Sequence, residues 1–232
     1  MFCSKCGGTV AEGVRFCPRC GAVQGDAVPP PPPPATLWTA PVGVKCQTGR
    51  WISAGWAMVT ADLGNFALVG LVYVLVNSVA SIVTQGPLQV GLHTFCAKKL
   101  FGKRAEIGDL FKGFDFFLPG FLAALVIGAF VFAGSLLCVI PGLVLAAMYK
   151  FTFLFILDKK MDFWPAMEAS HAVVKGDYFG FTMFLIVMAL INLLGLLCCI
   201  VGLLVTIPLS IAAITIAYQE CVGFEQRTVD AL

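Results

Sequence analysis

The chain has 232 residues, of which 59% are hydrophobic and 12% are charged, and its mean hydropathy is +0.92. These values exclude an ordinary soluble domain and predict a protein whose main solvent is lipid. The formal net charge of +2 is too small to indicate nucleic acid or an acidic protein as the principal partner.

The first 25 residues carry the pattern of a metal site. Two cysteine pairs follow each other as C-x2-C-x10-C-x2-C, namely Cys3, Cys6, Cys17 and Cys20. Four thiolates in this arrangement are typical of tetrahedral Zn²⁺, and the glycines Gly7 and Gly21 allow the turns that aim backbone N–H groups at the sulfurs. We therefore predict a zinc ribbon over residues 1–25 that binds one Zn²⁺ and folds with it, with a redox dithiol pair or an iron site as alternatives.

The charge of this ribbon favours a protein contact or a purely structural role over binding to nucleic acid. Lys5, Arg15 and Arg19 oppose Glu12, and a four-thiolate zinc centre carries a formal charge of about −2. A nearly neutral module binds phosphate backbones poorly, so we expect no nucleic-acid partner. Residues 1–25 also contain no apolar signal segment, which predicts that the N-terminus stays in the cytosol.

A proline-rich linker is predicted over residues 26–49. It contains six consecutive prolines, Pro29–Pro34, which adopt polyproline II and extend by about 3.1 Å per residue. We interpret it as a semi-rigid spacer of roughly 20 Å, with a ligand for an SH3-type domain as the alternative.

Three long runs without charge dominate the predicted membrane domain, residues 50–225. They cover residues 63–97, 116–149 and 178–219, and each holds 34 to 42 residues. One membrane crossing needs about 20 residues, so each run is long enough for two. Turn-forming residues interrupt each run near its middle: Thr84–Pro87, Ile140–Gly142, and Gly202 with the later Pro208. We predict an all-α polytopic membrane protein with six transmembrane helices arranged as three hairpins.

The basic residues of this domain lie between the runs or, for Arg50, before the first one, and none lies within them. Six spans place every Lys and Arg on the same side, as the positive-inside rule favours. This predicts a multi-pass protein of the cytoplasmic membrane with both termini in the cytoplasm and residues 226–232 as a cytoplasmic tail.

An amphipathic segment precedes each run. These segments are Trp51–Val59, Ile107–Phe114 and Phe163–Lys175. They are expected to be interfacial helices, with Trp51, Trp56 and Trp164 lying at headgroup level.

Few polar side chains lie within the runs, and three of them form a candidate intramembrane site: Asn77, Gln89 and His93. Polar groups in a bilayer mark functional sites or hydrogen-bond between helices, and both interpretations stay open here. The chain shows no motif of a nucleophile with its base and no phosphate-binding loop, so we predict that it is not an enzyme.

Several short motifs carry a family resemblance: Phe2–Gly7, Phe16–Gly21, Gly86–Leu92, Ile140–Leu143, Ala166–Ser170, Pro208 and Ala217–Tyr218. With them the chain resembles prokaryotic membrane proteins of uncharacterised function that begin with a zinc ribbon, and its membrane domain is similar to that of glycerophosphodiester phosphodiesterases. The resemblance implies six helices and no catalysis, since the phosphodiesterase chemistry of that group belongs to a separate domain.

Two classes of function follow. The first is a non-catalytic interaction, assembly or regulatory protein that is anchored in the membrane and meets a protein partner through its ribbon. The second is a transporter, channel or lipid-handling protein with a site between the hairpins. A homo-oligomer is compatible with either class.

Overall fold

The computed structural model describes residues 6–9, 18–20, 38–39, 41, 43–197 and 202–232. The chain divides into two compact units, Met1–Thr39 and Ala40–Leu232. The described residues of the second unit form helices and connecting turns and contain no strand. The all-helical class predicted for residues 50–225 is therefore confirmed.

Nine α-helices make up the described part of the second unit, and a 3-10 segment, Ile107–Phe116, lies between the second and the third. The helices are α1 (Thr48–Ala61), α2 (Leu63–Leu100), α3 (Phe117–Leu137), α4 (Val139–Met148), α5 (Thr152–Lys159), α6 (Phe163–Val174), α7 (Tyr178–Leu197), α8 (Leu203–Cys221) and α9 (Gln226–Ala231).

Helix α2 doubles back on itself. The rings of Phe66 and Phe95 have centroids 5.2 Å apart, whereas 29 positions of a straight helix would separate them by about 43 Å. The side chains of Asp62 and Lys99 form an ion pair, and those of Tyr73 and Gln89 share a hydrogen bond. The first long run is therefore a helical hairpin.

The reversal of α2 does not lie at Thr84–Pro87, where the sequence predicted it. The three contacting pairs are centred on residues 80–81, several residues earlier. Pro87 continues the helix, and a Cβ at Gly86 would overlap the backbone of Gly120. Glycine is therefore needed at position 86 for close packing against α3.

Helices α3 and α4 form the second reversal, which also differs in detail from the prediction at Ile140–Gly142. Cys138 alone separates the two helices, in an extended conformation with φ −169° and ψ 148°. Pro141 falls in the first turn of α4, where its missing N–H leaves no hydrogen bond unmade. The turn is therefore earlier than the proline-glycine pair suggested.

Helices α7 and α8 pack against each other beside the third predicted break. Asn192 Nδ2 donates to Ser210 Oγ at 2.7 Å, and a Cβ at Gly195 would lie 3.2 Å from the carbonyl carbon of Gly202. Gly202 directly precedes α8, as expected, and Pro208 lies within that helix. Residues 198–201 lie outside the described residues.

A short helical element precedes each hairpin, as predicted: α1, the 3-10 segment and α6. The prediction that Trp51 lies at headgroup level is wrong, because its side chain is only 1% exposed and packs against the rings of Phe181 and Phe184. Trp56 and Trp164 are 52% and 50% exposed and remain available for headgroup contact. Burial of Trp51 fixes α1 against α7, a contact that helical periodicity alone does not specify.

The exterior of the hairpins is apolar. Ile82 on α2, Leu136 on α3 and Phe179 on α7 are 76%, 79% and 77% exposed. Four described segments are long enough and apolar enough to cross a membrane, and a fifth is added if α1 and Leu63–Ser78, which meet at 100°, count as one bent span. These features indicate a membrane protein with several spans.

The backbones of the second half of α2 and of the 3-10 segment approach each other unusually closely in the interior. A Cβ at Gly91 would overlap the carbonyl of Leu110, and a Cβ at Gly113 would overlap the carbonyl of Pro87. Leu88, Leu92 and Leu110 are fully buried around this contact. Two backbones can meet this closely only where side chains are absent.

We predict that Gly91→Ala destabilises the protein by about 2–4 kcal/mol, because the added methyl meets a backbone carbonyl that cannot rotate away. Gly128→Ala in α3 is the matched control, since nothing lies within 4 Å of the added carbon. Thermal unfolding of the two purified variants in detergent measures the difference. Equal melting temperatures would contradict the proposed packing.

Candidate functional site

The predicted metal ligands are only partly within the described residues. Cys3 and Cys17 lie outside them, whereas Cys6 and Cys20 are described and exposed. The four-cysteine zinc site therefore stays a prediction.

Two local features of the predicted ribbon lie within the described residues. Gly7 has φ 67°, the left-handed conformation expected directly after the first cysteine pair. A Cβ at Gly8 would lie 3.6 Å from Cys6 Sγ and 3.5 Å from Arg19 Cδ. The side chains of Cys6 and Arg19 therefore both lie beside Gly8.

The polar residues of the predicted intramembrane site have separate partners. His93 Nδ1 lies 2.9 Å from Thr215 Oγ1, which itself donates to the carbonyl of Ile211 at 2.8 Å. The side chain of Gln89 is hydrogen-bonded to Tyr73. His93 therefore links α2 to α8, and Gln89 links the two halves of α2.

Asn77 belongs to neither of these two hydrogen-bonded pairs. Its Oδ1 atom is buried and has no hydrogen-bond partner among the described residues. Two surface clefts lie at the helix ends that carry charged residues. Neither cleft is lined by any of the three predicted residues, Asn77, Gln89 and His93. Helix packing thus accounts for two of the three candidate residues.

A charged layer at the helix ends was not anticipated from the sequence. Asp109, 3% exposed, binds Lys98 Nζ at 2.6 Å and Lys112 Nζ at 2.8 Å through the same oxygen, Oδ1. Its other oxygen accepts the backbone N–H of Glu106 at 2.9 Å. The carboxylate therefore joins the end of α2 to the start of the 3-10 segment.

Asp158 forms a second node in this layer and is fully buried. It accepts a hydrogen bond from Tyr218 Oη and another from the backbone N–H of Glu225, each at 2.9 Å. Its backbone carbonyl accepts Thr228 Oγ1 at 2.8 Å. Residues 226–232, the predicted tail, therefore consist mostly of the docked helix α9.

Two further ion pairs connect distant helix ends in the same layer. Arg50 binds Glu220 at 2.7 Å, and the indole N–H of Trp51 donates to the same carboxylate at 2.8 Å. Asp62 binds Lys99 across the open end of the α2 hairpin. Charged residues thus hold together the ends opposite the three reversals.

One cleft of about 260 Å³ opens at this charged end. Four cationic side chains line it, and we call it the basic cleft: Lys98, Lys112, Lys160 and Arg227. Asp115 is the one acidic side chain among the lining residues. The cleft joins α2, the 3-10 segment, the loop after α5, and α9.

Only a weak signal for this arrangement is present in the sequence. An acidic residue three positions before a lysine in a helical segment, as in Asp109 and Lys112, indicates a local ion pair. The partnership with Lys98, eleven positions earlier, depends on how α2 packs. Asp158 stands beside Lys159, and its partners on α8 and α9 are more than 50 residues away.

Comparison with known proteins adds relatives without an assigned function. An uncharacterised protein of Mycobacterium bovis is 27% identical over 203 residues, which cover 88% of this chain and 58% of the relative. An uncharacterised protein of Mycobacterium tuberculosis matches with the same identity and coverage. The chain thus spans just over half the length of these relatives. No family model and no solved structure matches the chain.

We predict that Asp109→Asn lowers the free energy of unfolding by about 3–5 kcal/mol, because it leaves Lys98 buried without a counter-ion. Asp115→Asn is the matched control, since it removes the same charge from an exposed position of the same segment. Thermal or denaturant unfolding in detergent compares the two. Similar losses would show that Asp109 is not a structural node.

We predict that docking of α9 depends on pH through Glu225. Burial raises the pKa of this carboxyl, but Lys159 and Arg227 more than offset it and hold the pKa below its ordinary value of 4.5. The stabilising contribution is therefore present above pH 4.5 and is lost as the pH falls through the lowered pKa.

Amide hydrogen exchange of residues 226–231 tests this dependence against Glu225→Gln. At about pH 6 we expect slower exchange in the natural chain, and at a lower pH, where Glu225 is protonated, equal exchange in both. A difference that persists at the lower pH would contradict the role of the Glu225 charge.

Proposed function

We propose that this chain is a membrane-anchored, non-catalytic interaction protein of the cytoplasmic membrane. Six spans in three hairpins anchor it, each hairpin preceded by a short interfacial helix. A ribbon that binds one Zn²⁺ through Cys3, Cys6, Cys17 and Cys20 meets a protein partner in the cytosol. The proline-rich linker spaces the ribbon from the membrane domain.

The distribution of charge supports this orientation. The reversals of the three hairpins contain no charged residue, whereas the opposite helix ends carry the ion pairs of Arg50, Lys98 and Lys99. Basic residues are retained on the cytoplasmic side during insertion. Both termini of the membrane domain then face the cytoplasm.

The pairing of polar groups between helices favours an anchor over a transporter. His93 bonds to Thr215, and Asn192 bonds to Ser210. A transport site would need such groups to converge on one solvated cavity. Their use in helix contacts supports a packed anchor, which leaves recognition to the ribbon.

A photo-crosslinking residue in the ribbon of the full chain, expressed in its native cells, tests the proposal. We expect capture of the same protein in repeated experiments, and loss of capture when Cys6 and Cys20 are both changed to Ser. The matched control changes Cys46 and Cys221, two cysteines of the membrane unit, to Ser and should capture normally. Absence of any reproducible partner, with residues 1–28 dispensable in cells, would overturn the proposal.

We predict that the purified full chain contains one zinc per molecule and that Cys6→Ser removes it, because three thiolates hold Zn²⁺ far less tightly than four. Cys96→Ser, in the buried core of α2, should retain the metal. Elemental analysis of both variants gives the zinc content. Retention of zinc by Cys6→Ser would rule out the four-cysteine site.

A further inference from the structure

We infer that the basic cleft is a binding site for a phosphate group, and that the phosphate belongs to an anionic phospholipid of the surrounding membrane. This goes beyond the proposed function, which concerns the ribbon and its partner. It rests on the membrane location of the helices and on the charges that line the cleft.

The first observation is an excess of positive charge within the cleft. Lys98 and Lys112 each bind the same oxygen of Asp109, so one carboxylate balances two ammonium groups. Asp115 is the one acidic side chain that lines the cleft, and Glu225 pairs with Arg227 beside it. Three acidic side chains, Asp109, Asp115 and Glu225, thus face four cationic ones, which leaves one positive side-chain charge for an entering anion.

Two further cations retain capacity to bind a ligand. The Arg227 side chain is 66% exposed and contacts Glu225 through Nε. A guanidinium group can bind phosphate oxygens in bidentate fashion. Lys160 is exposed, and it forms no ion pair within the described part of the chain.

The fold holds these groups in place independently of any ligand. Lys98 is 8% exposed and fixed by its 2.6 Å bond to buried Asp109. Arg227 lies on α9, which is docked through Thr228 onto the backbone of Asp158. The cations therefore come from four elements whose positions are set by buried contacts. A preorganised site loses little entropy when it binds an anion.

The cleft also has an apolar side, which favours a lipid over a free phosphate. Phe116 and Leu157 line it together with the cations. Phe116 directly precedes α3, whose outer surface is apolar and exposed at Leu118 and Leu125. A headgroup in the cleft would leave its acyl chains beside this helix. Basic pockets at the cytoplasmic ends of spans bind anionic headgroups in this manner.

The size of the cleft agrees with a headgroup. Its volume of about 260 Å³ lies below the roughly 300–1,000 Å³ of pockets that enclose drug-sized ligands. A phosphate with its glycerol is smaller than such ligands and needs no enclosure of the acyl chains.

Native mass spectrometry of the full chain in detergent tests the site. Short-chain phosphatidylglycerol is titrated as the anionic probe, phosphatidylcholine as the zwitterionic probe, and inorganic phosphate as a competitor. The test variant is Lys112→Gln with Lys160→Gln, both exposed positions whose loss leaves Lys98 paired with Asp109. The matched control is Lys45→Gln with Lys175→Gln, which removes the same charge from exposed positions outside the basic cleft.

We expect phosphatidylglycerol to bind the natural chain and the control variant, and to bind the test variant about tenfold or more weakly. The affinity for phosphatidylcholine should be the same in the natural chain and in the test variant. If millimolar inorganic phosphate displaces the lipid, the site accepts free phosphate as well; if it does not, the lipid is the ligand. Equal weakening in both variants, or none in the test variant, would overturn the assignment.

Discussion

The structure depends on the contact between the second half of α2 and the 3-10 segment. Gly91 and Gly113 let the two backbones approach until carbonyl groups occupy the space of side chains. That approach brings Asp109 to Lys98 and buries both. In a bilayer, where apolar burial from water contributes little between spans, close packing and polar bonds are the main forces that join helices.

Charge is confined to one end of the helical unit because an ion in hydrocarbon is costly. Asp109, Asp158 and Glu220 each bind at least one partner on another helix at that end. The same nodes that fasten the helices also orient spare cations toward the basic cleft. Stability and ligand binding thus depend on the same layer of charged residues. The effect of a substitution on binding must therefore be separated from its effect on stability by comparison with a control substitution in that layer.

Some structural elements were predicted from the sequence, and others were not. The three apolar runs and the helices before them were found because hydropathy and helical periodicity are local properties. The positions of the first two reversals were wrong because Gly86 and Pro141 serve packing and a helix start, respectively, and not the turn. The docking of helix α9 was not predicted, because its anchor, Asp158, is distant in sequence.

The sequence by itself determined the membrane class, the helical segments and the cysteine pattern of the ribbon, since each follows from composition or from spacing over a few residues. Only the tertiary structure decided that His93 pairs with Thr215, that Asp109 serves two lysines, and that a basic cleft forms beside them. These contacts join residues from different helices. Their formation depends on the glycines that set how closely those helices pack.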